Sequence, residues 1–201
     1  GAELVRDRGL KSAMERRRVQ VSVVCVDIRG FTAYAEAQPP ETVMRLLRDF
    51  YAAVGTAAGR YGGTIKDLAG DGALIIIGAP VELPDHAALS LQMARRLQSH
   101  ARPVVRRFGR ALGLGVGVAS GEVAVGIVGQ RARFEYVAVG PAVNLASRLC
   151  SRARDGEIQV DAVTLALAGE TPPGKPQKRY VKGLREPVAT YRLSPEPSSN
   201  R

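Results

Sequence analysis

VQVSVVCVDIRGFT, residues 19–32, joins a β-branched run to an acidic turn. Val19 to Val26 is long enough for one buried strand and is rich in the branched side chains that pack on a pleated surface; the run stops at Asp27. The turn-like DIRGFT follows and leads towards a helical stretch. A strand that ends on a carboxylate and runs straight into a glycine turn places chemistry at a sheet edge, and the rest of the chain is read against that edge.

Downstream, Val43, Leu47, Phe50, Val54, Ala57 and Tyr61 recur at steps of three and four after Pro39-Pro40. This predicts a helix with a core-facing stripe that ends at Gly62-Gly63. Thr64 to Ala69 and Ala73 to Gly78 are strand-like runs around Gly70-Asp71-Gly72, a predicted hairpin with its carboxylate at the tip. Asp85 is the expected N-cap of a helix through His100, with Leu89, Met93 and Leu97 inward. Ala111 to Ala119 and Glu122 to Val128 read as two strands, Phe134 to Val139 as extended and Ala142 to Arg152 as helical. Ile158 to Val160 and Ala189 to Leu193 close the series. The order β, α, β, β, α, β with additions predicts an α+β sandwich of helices on one antiparallel sheet. Residues 1–18 read as a linker or coiled-coil stub from an upstream segment, 19–193 as one domain, and 194–201 (SPEPSSNR) as a disordered tail.

The 201 residues are 45% hydrophobic, with no apolar run near the ~20 residues of a membrane span. No secretory pattern opens the chain, so a cytoplasmic location is expected, with tethering to the inner face of the membrane left open. Cys25 and Cys150 stand far apart with no CxxC or Cys/His spacing, which suggests neither a disulfide framework nor a zinc site; both read as small buried residues in a reducing compartment. The net charge of +10 favours anionic partners. Aromatics are only 5% of residues and no basic–aromatic interleaving occurs, so nucleic acid is not an expected partner despite the run Glu15 to Arg18. His86 and His100 read as structural or exposed.

Asp27 and Asp71 both sit where a strand gives out. If their strands are neighbours, two carboxylates reach one sheet edge, a set suited to Mg²⁺, which takes a few carboxylate oxygens plus water and substrate phosphate. Two turn aspartates bonding local amides would give the same residues. The loop through Arg29, Gly30, Phe31 and Thr32 presents backbone N–H groups suited to a triphosphate; an ordinary strand-to-helix turn would use the same residues.

VVCVDIRGFTAYAE resembles the first metal motif of class III adenylate and guanylate cyclases, and YGGTIKDLAGDGALIIIGAP their second. GVGVASGEVAVGIVG followed by FEYVAVGPAVNLASRL resembles the segment with their transition-state residues, and YVKGLREPVATYRL the closing stretch. The resemblance covers residues 19–193 and implies a ferredoxin-like palm, a βαββαβ core with additional strands. It implies head-to-tail homodimers that convert a nucleoside triphosphate to a 3′,5′-cyclic nucleotide and pyrophosphate with two Mg²⁺ (or Mn²⁺) per site. It also implies that Asp27, Asp71 and the Ile28 carbonyl bind metal, that Asn144 orients the ribose, that Arg148 stabilises charge on the α-phosphate, and that Lys182 contacts the terminal phosphates. An upstream regulatory domain is implied as well.

The chain departs from the family at the base-reading positions, where Asp67 and Val137 replace the usual adenine pair. Asp67 can accept from guanine N1–H and its amino group, or once from the adenine amino group. Val137 offers neither base a hydrogen bond. Lys66 cannot replace a lysine at 67 without a bulge, because successive strand residues face opposite sides. ATP is placed slightly ahead of GTP on the prevalence of adenylate activity among bacterial members, with guanylate cyclase as the alternative. Gly115 stands where some members carry a phosphate-binding arginine, and Pro141 suits a helix start. A degenerate domain that binds nucleotide or only dimerises is the rival of another class. A diguanylate cyclase is disfavoured because AGDGA is not that family's GG(D/E)EF loop.

Overall fold

The computed structural model describes residues 17–130, 133–180 and 187–194. The expected linker through residue 16, the tail from residue 195 and Lys182 lie outside them.

Strand β1, Arg17–Arg29, is the spine. Its even-numbered Val24, Val26 and Ile28 enter one core with Leu46, Phe50 and Leu91, while odd-numbered Val19, Val21 and Val23 enter a second core with Leu145, Ala146 and Leu149. Each fully buried aliphatic side chain contributes about 1.5–3 kcal/mol. A strand apolar on both faces needs cover on both. Helices α1 (Phe31–Ala37) and α2 (Pro40–Arg60) follow β1. The hairpin of β2 (Gly63–Ala69) and β3 (Gly72–Ile77) comes next, then α3 (His86–Arg96), a π-helical turn at Leu97–Ala101 and α4 (Arg102–Arg106). Strands β4 (Gly113–Gln130) and β5 (Arg133–Val139) lead into α5 (Pro141–Arg152). Strand β6 (Ile158–Asp161), α6 (Ala162–Ala168), β7 (Gln177–Arg179) and β8 (Val188–Leu193) complete the order.

The sheet runs β2-β3-β1-β4-β6-β8-β7, with β5 folded back on β4. Its first four strands are all antiparallel and form the ferredoxin-like palm. Beyond them β6 pairs parallel to β4, so the sheet is mixed rather than antiparallel throughout. Helices α2 and α3 cover one face and α5 the other.

Four local expectations change. The two strands predicted at Ala111–Ala119 and Glu122–Val128 are one, because β1 pairs without interruption from Arg17↔Val125 to Arg29↔Gly113 and carries Ser120-Gly121 through. On α2 the buried line is Leu46, Phe50, Val54, Ala57 and Ala58, with Val43, Leu47 and Tyr61 at its margin. The Asp85 side chain makes no capping bond, although α3 does begin beside it. Helix α6 and β7 were not foreseen.

A chain of buried polar groups crosses the molecule. His86 Nδ1 and Ser22 Oγ are 2.8 Å apart, Ser22 and Ser120 Oγ 2.6 Å, and Ser120 Oγ and Thr164 Oγ1 2.8 Å. Thr164 in turn donates to Asp161, whose carboxylate caps α6 by accepting from the Thr164 amide at 3.2 Å. His86 is thus structural, as expected, and His100 is exposed against Ser99.

Candidate active site

Asp27 belongs to the odd face of β1, the face that α5 covers. Its cross-strand neighbours are Gly72 on β3 and Gly115 on β4, so neither partner residue puts a side chain beside its carboxylate. The hairpin brings the second carboxylate alongside: Ile28 N–H donates to the Asp71 carbonyl at 3.0 Å, binding the tip to the end of β1. Gly70 takes φ 59°, the left-handed conformation the tight turn requires. The Tyr51 hydroxyl, on α2, donates to the Gly70 carbonyl and anchors the tip from outside. Tyr51 carried no sequence signal, because it lies off the apolar stripe.

Burial pushes the Asp27 carboxyl up to about 6; Arg29 opposes this and the charge of Asp71 adds to it. Arg29 Nη2 lies 2.7 Å from Asp27 Oδ2 and donates to the Cys150 carbonyl at 3.3 Å. Its Nε is buried without a partner among the described residues. Gly115 admits this guanidinium, since a Cβ there would lie 2.8 Å from Arg29 Nε. An arginine side chain therefore does cover position 115, supplied from the neighbouring strand.

These observations test the site for a divalent cation. Burial and a second carboxylate both disfavour ionised Asp27, and a hard cation would relieve both, so the donor set fits Mg²⁺ or Mn²⁺. Among the described residues no group of three or more His, Cys, Asp or Glu converges on one point. Two carboxylates leave the remaining ligand positions to carbonyl, water and phosphate oxygens.

A cavity of about 340 Å³ opens beside Asp27, lined by Cys25, Asp67, Leu74, Ser147 and Cys150 among others. Cys25, Leu74 and Asp67 form one row across β1, β3 and β2. The register of β2 shifts between Ile65 and Asp67, so Lys66 sits in the bulge that the sequence reading named as its condition. Asp67 lines the cavity and Lys66 does not. Asn144 is exposed and Arg148 half-buried, one turn apart on α5. Neither lines the cavity at Asp27. Val137 is half-buried on β5, and Gly30 starts α1 with Phe31 packed on the core and Thr32 exposed. Ser147, Cys25 and Cys150 carried no site expectation, and Arg29 was expected only within the anion-facing loop; the register of β1 and the packing of α5 on β4 bring them to the cavity and to Asp27.

A model described as the adenylate and guanylate cyclase catalytic domain matches residues 14–195. An uncharacterised protein of Mycobacterium tuberculosis is 39% identical over 177 residues, 82% of this chain and 32% of that protein, so the chain spans about a third of that relative. The crystal structure of the guanylyl cyclase Cya2 superposes with a TM-score of 0.82 at 30% identity, covering 92% of this chain and 98% of that one. The adenylyl cyclase CyaB from P. aeruginosa gives 0.81 at 30% identity, covering 89% and 95%.

Proposed function

The chain belongs to the adenylate and guanylate cyclase catalytic domain family, and on that premise we propose that it closes a purine nucleoside triphosphate into a 3′,5′-cyclic nucleotide, releasing pyrophosphate, at sites shared by two copies of the chain. The observation that carries this is the Asp27–Asp71 pair, held at one sheet edge by the Ile28 amide and flanked by glycines.

In this reading Asp27, Asp71 and the Ile28 carbonyl hold two Mg²⁺ or Mn²⁺ ions. When bound, the ions acidify the ribose 3′-hydroxyl and neutralise the triphosphate. The amides of Gly30, Phe31 and Thr32 face the phosphates, and Lys182 reaches the terminal ones. Asn144 orients the ribose for in-line attack, and Arg148 pairs with charge building on the α-phosphate. Arg148 forms no ion pair with a described residue, which suits a side chain waiting for an anion. Asn144 and Arg148 stand outside the cavity at Asp27 of their own chain, which supports their supply from the partner copy.

The base has two readings. Prevalence among bacterial members carries ATP; the Asp67 carboxylate on the cavity wall, with no lysine there, favours GTP as the second. An upstream regulatory segment and a position on the cytoplasmic side, free or membrane-tethered, complete the proposal. Among the described residues no helix is long and apolar enough to cross a membrane. The test is product formation from ATP and from GTP, each with Mg²⁺ and with Mn²⁺. No product from either nucleotide under either metal overturns the enzyme reading and leaves a nucleotide-binding or dimerisation domain.

A further inference from the structure

The chain has two cysteines, and the fold brings them together. Cys25, on the odd face of β1, and Cys150, near the end of α5, meet over Gly117 of β4 and line the same cavity. Both are free thiols, Cys25 half-buried and Cys150 buried. The meeting is built into the sheet. The β4 partner of Cys25 is Gly117, and a Cβ at 117 would lie 2.2 Å from the Cys150 amide nitrogen. A glycine there is what lets α5 descend until its cysteine reaches β1. Cys150 Sγ also lies 3.5 Å from the Gly115 carbonyl and 3.8 Å from Arg29 Nη2, the guanidinium that pairs with Asp27. Both cysteines line the 340 Å³ cavity beside Asp27, which gives a small oxidant access.

We infer that Cys25 and Cys150 are a reversible dithiol–disulfide pair that switches this site in response to hydrogen peroxide. This rests on the cyclase reading for its consequence but not for its chemistry. The sulfur of Cys25, the more accessible, takes an oxygen from the peroxide; the O–O bond breaks, and the leaving oxygen departs as water with the thiol proton. The sulfur of Cys150 then attacks the resulting sulfenic acid, the S–S bond forms, the S–O bond breaks, and a second water leaves with the Cys150 proton. Two thiols have lost two electrons and the peroxide has gained them. A thiol reductant reverses the bond by exchange. In a reducing compartment such a bond is transient and signalling rather than structural. Once closed, it ties the helix of Asn144 and Arg148 to the strand of Asp27, two residues from each of Arg148 and Asp27, and narrows the cavity between them.

The experiment treats the full chain, fully reduced, with hydrogen peroxide and follows three readouts. Intact mass and peptide mapping are expected to show loss of two hydrogens and a link between the peptides of Cys25 and Cys150 in a single chain. Amide hydrogen exchange along α5 is expected to slow. Turnover is expected to fall about 10- to 100-fold, the scale of a small misplacement of reacting groups, and to return with dithiothreitol. Cys25→Ser and Cys150→Ser are each expected to lose the peroxide-dependent change, with melting curves recorded for both. Oxygen added without a link, cross-linking between chains, or a link that leaves α5 exchange and turnover unchanged overturns the inference. Where the reduced chain forms no product, the cyclase reading fails, while the mass and the α5 exchange still decide the pair.

Discussion

His86 shows how a single side chain ties stability to pH. It is 7% exposed, and burial holds its pKa below the ordinary histidine range, with Asp85 opposing. The unfolded chain takes up a proton near pH 6.5, before the folded one does. The stability contributed by neutral His86 is therefore full above that value and lost as pH falls through the depressed folded pKa. Between about pH 7 and pH 5, the melting temperature of wild type is expected to fall more steeply than that of His86→Gln; parallel profiles would remove His86 from this role. Arg148 is the residue on which catalysis should turn. Arg148→Ala is expected to lower kcat by about 10²- to 10³-fold, the cost of losing one group aimed at transition-state charge, measured as cyclic nucleotide formed under saturating triphosphate. The helical spacing of Asn144 and Arg148 was legible in the sequence because four residues make about one turn. The approach of Cys150 to Cys25 over Gly117 was not, because neither flank carries any trace of the other.

At the scale of the element, β4 explains most of what a linear reading misses. Its GLGVGV puts Leu114, Val116 and Val118 into the core, while Gly113, Gly115 and Gly117 leave a bare stripe on the other face. Over that stripe lie Asp155, Arg29 with Ala153, and Cys150 with Ala146, each closer than a Cβ would tolerate. Gly117→Ala has backbone rather than a flexible side chain to displace. It is expected to cost about 1–3 kcal/mol, occasionally more, which in a domain of this size is a fall of about 2–12 °C in melting temperature by calorimetry. An unchanged Tm would mean that α5 does not rest on the strand. The glycines were visible in the sequence, but what fills their place comes from Arg29 and the distant segment 146–155. Helix α6 is different, since DAVTLALAG carries an Asp cap and a closing glycine at φ 67°, signals that could have found it. Strand β7 is three polar residues at the edge of the sheet and carries none.

For the molecule as a whole, the palm was readable because apolar runs, a glycine hairpin and a long amphipathic helix occur in order. Which helix covers which face was not, because a run apolar on both faces calls for cover on both without naming the segments that supply it. The site divided in the same way: Asp27 and Asp71 were legible as strand-end carboxylates, whereas the pairing of Arg29 with Asp27 and the hold of Tyr51 on the hairpin tip come only from the packed fold. Assembly gives the prediction that belongs at this scale. Mixing Asp71→Ala chains with Arg148→Ala chains is expected to restore activity through one intact site per heterodimer, up to about a quarter of wild type if subunits mix at random. Two inactive chains that stay inactive when mixed, with heterodimers present by native mass spectrometry, would argue against shared sites.

Strand β1 begins at Arg17, pairs along its whole length with β4, and carries Asp27 near its other end. Sliding it by one residue would send its valines to the wrong cores and turn the carboxylate away from α5, so the strand cannot creep along its neighbours. A push or twist delivered at Arg17 is therefore transmitted as it would be by a stiff rod, with no slack: the palm moves as one piece, and what such a force can alter is the fit between whole subunits rather than the spacing of groups inside either one.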